Sequence, residues 1–406
     1  MSELLPVEEA LDIVLKHIPP PETEVLFIGE ATGCILAEDV YSDTDKPAFD
    51  NSAMDGFAVR SEDIKEVSEE SPVKLRIIGE YSAGVESSIK VEKGTAVKIL
   101  TGAPLPAGAD TVVPVEYTSE EEGFVFIKKP FKKGANIRLK GEDLKKGELV
   151  LSKGTELRGY EIGLLCGVNK SVVKVYRKPR VGILSTGDEL LELGEASNRI
   201  SQIRSSNHHM LRSLTESAGG NPYLLGIVPD DPTELLEALK KCYDYDIFIT
   251  TGGVSMGDKD YVRFLAEKAG IEVKFHKLRI KPAKPVLFGT FGKKGLFFGL
   301  PGNPVSCAVA FDLLVYPAIR KMQGAQDIFK KKIKAILTED YVRRDAKRRE
   351  FARARLWFEN GSLLCKPAKK QQSHMLSSYV GANSYMIIYE GVKELKKGEE
   401  VEVLLL

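Results

Sequence analysis

The chain has 406 residues, 43% hydrophobic and 29% charged, an ordinary globular balance that excludes wholesale disorder and is long enough for several separate cores. Lys plus Arg and Asp plus Glu both number 58, so no overall basic field exists to gather nucleic acid or an anionic membrane, and any anion site must be local. Five scattered cysteines without a CxxC pair exclude a zinc-ribbon or disulfide framework and suit a reducing cytoplasm.

MSELLPVEEALDIVLKHIPP carries early acidic residues and predicts an amphipathic helix, unlike a secretory signal. Nowhere do about eighteen apolar residues run together as a membrane span needs, so a soluble protein without a membrane partner is expected. Residues 24–140 alternate short β-rich runs with Gly and Pro, as in VKLRIIGEYSAG. GEDLKKGELVL, YEIGLLCGVN and SVVKVYRK then predict a small αβ connector. From Arg180 onward strands alternate with helices. RVGIL precedes STGDEL, a helix runs from Ser205 or Ser206 to Gly219 and Gly220, and PYLLGIVP follows as a strand. In DPTE, Asp231 takes the N-cap, Pro232 the first helical position and Glu234 the capping-box position. YDIFIT leads into TTGGVSMGDKD and the helix DYVRFLAEKAG; strands follow around VKFHKLRI, PVLFG and LFFGL, then PGNP opens the helix VSCAVAFDLLVYPAIRKM. This order predicts a mostly parallel sheet with helices on both faces. Beyond Lys330, KIKAILTE, EFARARLWFE, SYMIIYE and EEVEVLLL predict a small β domain. The run RRDAKRR at 343–349 reads as a solvated loop or strand edge with no catalytic role. The fold class is therefore multidomain α/β: an αβ connector from 1–45 plus 141–176, a β-rich domain at 46–140, a central α/β domain at 177–326 and a C-terminal β domain at 327–406.

Ligands of an open parallel sheet sit beyond the carboxyl ends of its strands, where three loops converge. They carry Ser185, Thr186 and Gly187; Gly252, Gly253, Ser255 and Gly257; and Pro301, Gly302, Asn303 and Pro304. Small residues, hydroxyls and open backbone N–H groups suit a phosphate, although an isolated Gly-rich loop equally makes a tight turn. In KLRIKPAKP a strand would place Lys277, Arg279 and Lys281 on one face, with Lys284 nearby, as partners for phosphate or a metal oxyanion; a solvated stripe is the plain alternative. Asp55, Asp143, Asp188, Glu189, Asp230, Asp231, Asp258 and Asp260 are hard oxygen donors that suit Mg²⁺, or turn and cap residues. The five histidines lack zinc-site spacing, and His208 and His209 are expected to diverge on a helix.

PAFDNSAMDGFAV at 47–59, TGAPLPAGADTVVPVE at 101–116, GEDLKKGELVL at 141–151, STGDEL at 185–190, TTGGVSMGDKDYV at 250–262, KPAKPVLFG at 281–289 and GLPGNPVS at 299–306 together resemble the motifs of the molybdopterin molybdenumtransferases, in order and over most of the chain. The resemblance implies a cytoplasmic, elongated homodimer whose central domain is similar to that of molybdopterin-adenylating enzymes. Its cleft would lie between the α/β domain of one subunit and the NSAMDG domain of the other. The implied activity inserts molybdate into adenylylated molybdopterin and releases AMP with the help of Mg²⁺. Carried over by motif, Asp55, Asp143, Glu189, Asp231 and Asp260 are catalytic candidates, Thr101, Lys277, Lys281, Pro301 and Pro304 join the substrate loops, and Asp188 with Glu189 are the Mg²⁺ candidates. Asp258 stands where the family pattern has Glu. Tungstate insertion by the same chemistry, the preceding adenylylation step and a non-catalytic scaffold are the alternatives, and the adenylating enzyme is a candidate partner.

Overall fold

The computed structural model describes residues 4–84, 88–252 and 261–406, the side chains of Tyr261 and Val262 excepted. Gly253, Ser255, Gly257, Asp258 and Asp260 therefore lie outside the described residues. Two compact units emerge: residues 26–32 with 38–173, and the remainder, comprising the start of the chain, 33–37 and 174–406.

In the first of these units, six strands form one sheet in the order Thr111–Pro114, Gly56–Val59, Thr95–Ile99, Val73–Tyr81, Phe124–Ile127, Thr118–Glu121. Alternation sends Phe57 and Val59 into one core and Ala58 into another, so the sheet is covered on both faces. Gly56 has a packing reason: a Cβ there would lie 2.0 Å from the Val113 carbonyl oxygen of the paired strand. The segment after the sheet returns to the earlier chain, with Val40–Tyr41 paired to Leu149–Leu151 and Asn51–Ser52 paired to Ile137–Arg138.

The second unit is built on β1 (Arg180–Thr186), α1 (Asn207–Ala218), β2 (Asn221–Val228), α2 (Pro232–Lys240), β3 (Ile247–Thr251), α3 (Tyr261–Lys268), β4 (Glu272–His276), β5 (Leu287–Phe291) and β6 (Gly295–Leu300). The sheet order is β2-β1-β3-β6-β5-β4; the first three pairings are parallel and the last two antiparallel. Ile247 and Ile249 enter one core with α1, whereas Phe248 enters the other with α2 and α3, so the helices cover both faces as the strand–helix order predicts. The N-terminal helix Val7–His17 joins the first of these cores through Val7, Ala10 and Val14. The last helix is interrupted: α4 (Pro304–Ala310) passes through a π turn at Phe311–Val315 into α5 (Tyr316–Met322). Pro317 has no N–H to donate into a regular ladder, which accounts for a wider turn before it.

The C-terminal strands Lys332–Leu337, Arg349–Glu359, Ser362–Pro367, Ser384–Ile388 and Glu400–Leu405 close into a five-stranded ring, because Arg349–Glu359 also pairs with Ser384–Ile388. One expectation is corrected at its edge. The strand through KLRIKPAKP stops at His276, since Lys277 takes a left-handed φ of 82° and breaks the alternation. Ile280–Lys281 instead forms its own short strand and pairs in parallel with Arg349 and Glu350. Lys277, Arg279 and Lys281 thus do not form a stripe on one continuous strand.

Candidate functional site

Three strand ends build the floor of the site. Ser185, Thr186, Thr250 and Thr251 are buried where β1 and β3 end. Gly252 continues β3 with a left-handed φ of 103°, and a Cβ there would lie 2.2 Å from the Thr186 carbonyl oxygen; only glycine lets these loops approach so closely. Asn207, the first residue of α1, joins two of the loops. Its Nδ2 donates to Thr251 Oγ1 at 2.8 Å and to the Gly302 carbonyl at 2.7 Å, while Thr251 Oγ1 donates to the Pro301 carbonyl at 3.2 Å. Sequence reading missed this residue, whose only local signal is an Asn at a helix start. Thr186 Oγ1 and Thr250 Oγ1 are buried without a hydrogen-bond partner among the described residues, which is what unfilled ligand contacts look like.

The acidic residues gather on the β2 side. Asp188 Oδ1 accepts from the Asp230 N–H at 3.2 Å. Burial first, then the charges of Asp188 and Glu189, push the Asp230 carboxyl above its usual range. Asp231 caps α2, accepting from the N–H groups of Thr233 and Glu234 at 2.8 and 3.0 Å. In the other unit, Asp55 Oδ1 accepts both the N–H and the hydroxyl of Thr101 at 2.7 Å, which joins NSAMDG to TGAP and holds the carboxyl below its usual range. Asp143 lies 3.6 Å from the Lys46 ammonium in the same unit.

A cleft of about 880 Å³ opens between the α/β domain and the C-terminal domain, with Asn303 and Ser306 on one side and Lys281, Lys284, Arg343, Arg344 and Arg348 among its walls. Lys277 and Arg279 are not part of the lining. Lys281 Nζ lies 2.9 Å from the buried Glu350 carboxylate, which also accepts from the Tyr341 hydroxyl at 3.1 Å. The reading of RRDAKRR as a solvated loop or strand edge is corrected at Arg343, whereas Arg344 and Lys347 are exposed. Arg343 is buried and donates to the carbonyls of Val392, Arg348 and Tyr389, so it is fixed in the wall rather than solvated. The buried Arg353 does similar work, donating to Ser378 Oγ at 3.0 Å and to the Lys370 carbonyl at 3.3 Å. That holds the 370–378 segment where the Ser373 carbonyl accepts the Val305 N–H at 3.0 Å, tying the start of α4 to the barrel.

His208 and His209 also depart from expectation. Their rings lie 4.2 Å apart and both turn toward Glu192. Hydrogen bonds from the Leu193 N–H and then His209 lower the Glu192 carboxyl to about 2, while burial lowers His208.

Three family descriptions match the chain in succession: "MoeA N-terminal region (domain I and II)" over residues 5–168, "Probable molybdopterin binding domain" over 182–321 and "MoeA C-terminal region (domain IV)" over 334–406. The molybdopterin molybdenumtransferase of Bacillus subtilis is 37% identical, covering 99% of this chain and 94% of its own. That of Haemophilus influenzae is 35% identical, covering 98% of each. The crystal structure of the molybdopterin biosynthesis moeA protein from Pyrococcus horikoshii OT3 aligns over 100% of both chains with a TM-score of 0.80 and 37% identity.

Proposed function

Since the chain belongs to the molybdopterin molybdenumtransferase family, we propose that it inserts molybdate into adenylylated molybdopterin, with release of AMP, to give the molybdenum cofactor. The observation that carries this reading is the cationic cleft beside the PGNP loop. Molybdate is a tetrahedral dianion, and Lys281, Lys284 and Arg344 supply the ammonium and guanidinium donors that bind such an ion. Ser185–Gly187, Gly252 and Pro301–Pro304 offer the small, hydroxyl-bearing loops that suit the phosphates and pterin; Gly253, Ser255 and Gly257 extend the same loop in sequence. Holding an oxyanion beside an anionic pterin nucleotide is the main electrostatic task, and fixed cations offset that repulsion.

As each dithiolene sulfur binds the metal, one molybdate oxygen takes up protons and leaves as water; hydrolysis of the phosphate anhydride consumes a water and frees AMP. Asp55, Asp143, Glu189, Asp231 and Asp260 are the candidates for positioning that water and moving those protons. Asp188, Glu189 and Asp230 form a hard-oxygen donor set whose mutual repulsion suits a divalent cation. Among the described residues their oxygens do not converge to direct ligand spacing, which fits Mg²⁺ retaining several waters. Bound there, Mg²⁺ would offset phosphate charge. We place the protein in the cytoplasm as a homodimer that receives its pterin from a molybdopterin-adenylating enzyme. Light scattering should give twice the chain mass; a monomer mass would remove the homodimer. Mixing the purified chain with adenylylated molybdopterin, Mg²⁺ and either molybdate or tungstate should give oxyanion-dependent AMP release, with the preferred anion identifying the metal. Folded protein that binds the nucleotide yet releases no AMP with either anion would overturn the catalytic reading.

A further inference from the structure

The three donors around Glu192 make a compact group. His209 Nε2 lies 2.8 Å from Glu192 Oε1, and His208 Nε2 lies 3.1 Å from Glu192 Oε2. One ligand atom from each residue falls within 4.8 Å of the others, and no other such group occurs among the described residues. Donors about 2.0–2.2 Å from a tetrahedral metal ion stand roughly 3.3–3.6 Å from one another, so the imidazole–carboxylate distances of 2.8 and 3.1 Å need open only slightly to admit an ion.

A second observation separates this group from an ordinary hydrogen-bonded triad. His208 is only 1% exposed, and its Nε2 is buried without a properly directed hydrogen bond. The short distance to Glu192 brings the two atoms together off the hydrogen-bond line. A buried ring nitrogen of this kind needs a partner, and an ion between it and the carboxylate would supply one. The opposite ring nitrogen is supported as metal-binding histidines usually are: His208 Nδ1 lies 2.7 Å from Ser205 Oγ and 3.2 Å from Ser185 Oγ. In the tautomer that metal binding requires, Nδ1–H donates to Ser205 Oγ and the Nε2 lone pair faces Glu192.

We propose that Glu192, His208 and His209 bind one divalent transition-metal ion of the zinc class, leaving a fourth position to water. Imidazole nitrogen with one carboxylate favours such an ion over Mg²⁺, which prefers an all-oxygen octahedral shell. The position gives the ion a structural role. Ser185 lies near the end of β1, Glu192 follows the STGDEL loop and both histidines lie in the first turn of α1, so the ion would fasten that loop to the helix carrying Asn207. The site is independent of which reaction the neighbouring loops perform.

The test uses the full-length protein, freed of metal by chelator and titrated with Co²⁺ or Zn²⁺ in excess Mg²⁺. One Co²⁺ should bind per chain with the visible absorption of a low-coordinate nitrogen–oxygen site, and Zn²⁺ should displace it. His209→Gln and Glu192→Gln change partly exposed positions and should each weaken binding at least tenfold, with the metal-free melting temperature staying within a few degrees of the parent. His208→Ala should abolish binding, but its burial makes the other two substitutions the decisive ones. The absence of stoichiometric binding by folded parent protein would overturn the proposal and leave a carboxylate shared by two imidazoles. Binding that survives both His209→Gln and Glu192→Gln would overturn it as well, placing the ion elsewhere.

Discussion

Arg344 and Lys281 both face the cleft, but they carry different structural burdens. Arg344 is exposed, so Arg344→Ala should leave the melting temperature unchanged and raise the KM for molybdate about tenfold, the loss expected for one charge-assisted contact. The increase should shrink at high salt, because the lost term is Coulombic. An unchanged KM at low salt would remove Arg344 from oxyanion binding. Lys281→Gln should raise KM similarly and also destabilise the protein by about 1–3 kcal/mol, since Glu350 would remain buried beside a neutral side chain. Urea unfolding separates the two effects, and full stability in Lys281→Gln would show that Arg343, whose guanidinium lies 4.0 Å from the Glu350 carboxylate, suffices to neutralise it. Asp55→Asn retains an acceptor for Thr101 but loses the charge, so we expect roughly 10²-fold slower turnover from a folded protein. At this scale the sequence was half legible. Asp55 and Thr101 stand in quotable motifs, and their contact spans two loops that the resemblance names. The strand periodicity fails at Lys277 because that residue takes a left-handed φ, and the burial of Arg343 depends on carbonyls near residue 390 that no local pattern reveals.

At the scale of elements, Asp231 combines a cap with a proposed catalytic role, and substitutions can divide the two. Asp231→Ala should cost about 1 kcal/mol by leaving the first N–H groups of α2 without their acceptor, whereas Asp231→Ser keeps a capping oxygen and nearly full stability. If the carboxylate participates in the reaction, both variants lose turnover alike; normal turnover in Asp231→Ser reduces Asp231 to a cap. Gly252→Ala should be far more damaging than an ordinary loop substitution, because the new Cβ meets the backbone of β1 rather than a movable side chain. The strand–loop–helix order of the α/β domain was readable because apolar runs, Gly-bearing loops and the Asp-Pro cap are local signals. The insertion of Ile280–Lys281 into the barrel was not, since it arises from pairing between distant segments, and Pro317 marks a break in the last helix without specifying a π turn.

Across the whole molecule, Arg177 illustrates how a connecting residue can set acid stability. It donates to Glu22 at 2.8 Å and to Asp246 at 2.8 and 2.9 Å. Burial pushes the Asp246 carboxyl up, but the bonds from Arg177 and the Arg180 N–H outweigh it and leave it below its usual value. Its stabilising effect is therefore complete above the ordinary aspartate value of about 4 and is lost as pH falls through the lowered folded-state value. Asp246→Asn should melt lower than the parent at neutral pH, with the gap closing in acid; a gap that grows in acid would contradict this sign. The central α/β fold and the β character of the C-terminal segment were legible in the full sequence because strand–helix alternation gives way to strands alone, but the association of the first helix with the α/β core was not, for an amphipathic stripe does not name its partner. The proposed reaction is best tested by comparing parent and Arg344→Ala in AMP release from adenylylated molybdopterin as molybdate is varied, with metal retained on the pterin measured alongside. Release that requires molybdate, yields one retained metal per AMP and shifts to higher molybdate in the variant is the predicted result; release independent of the oxyanion, or identical molybdate dependence in both proteins, would contradict insertion at the cationic cleft.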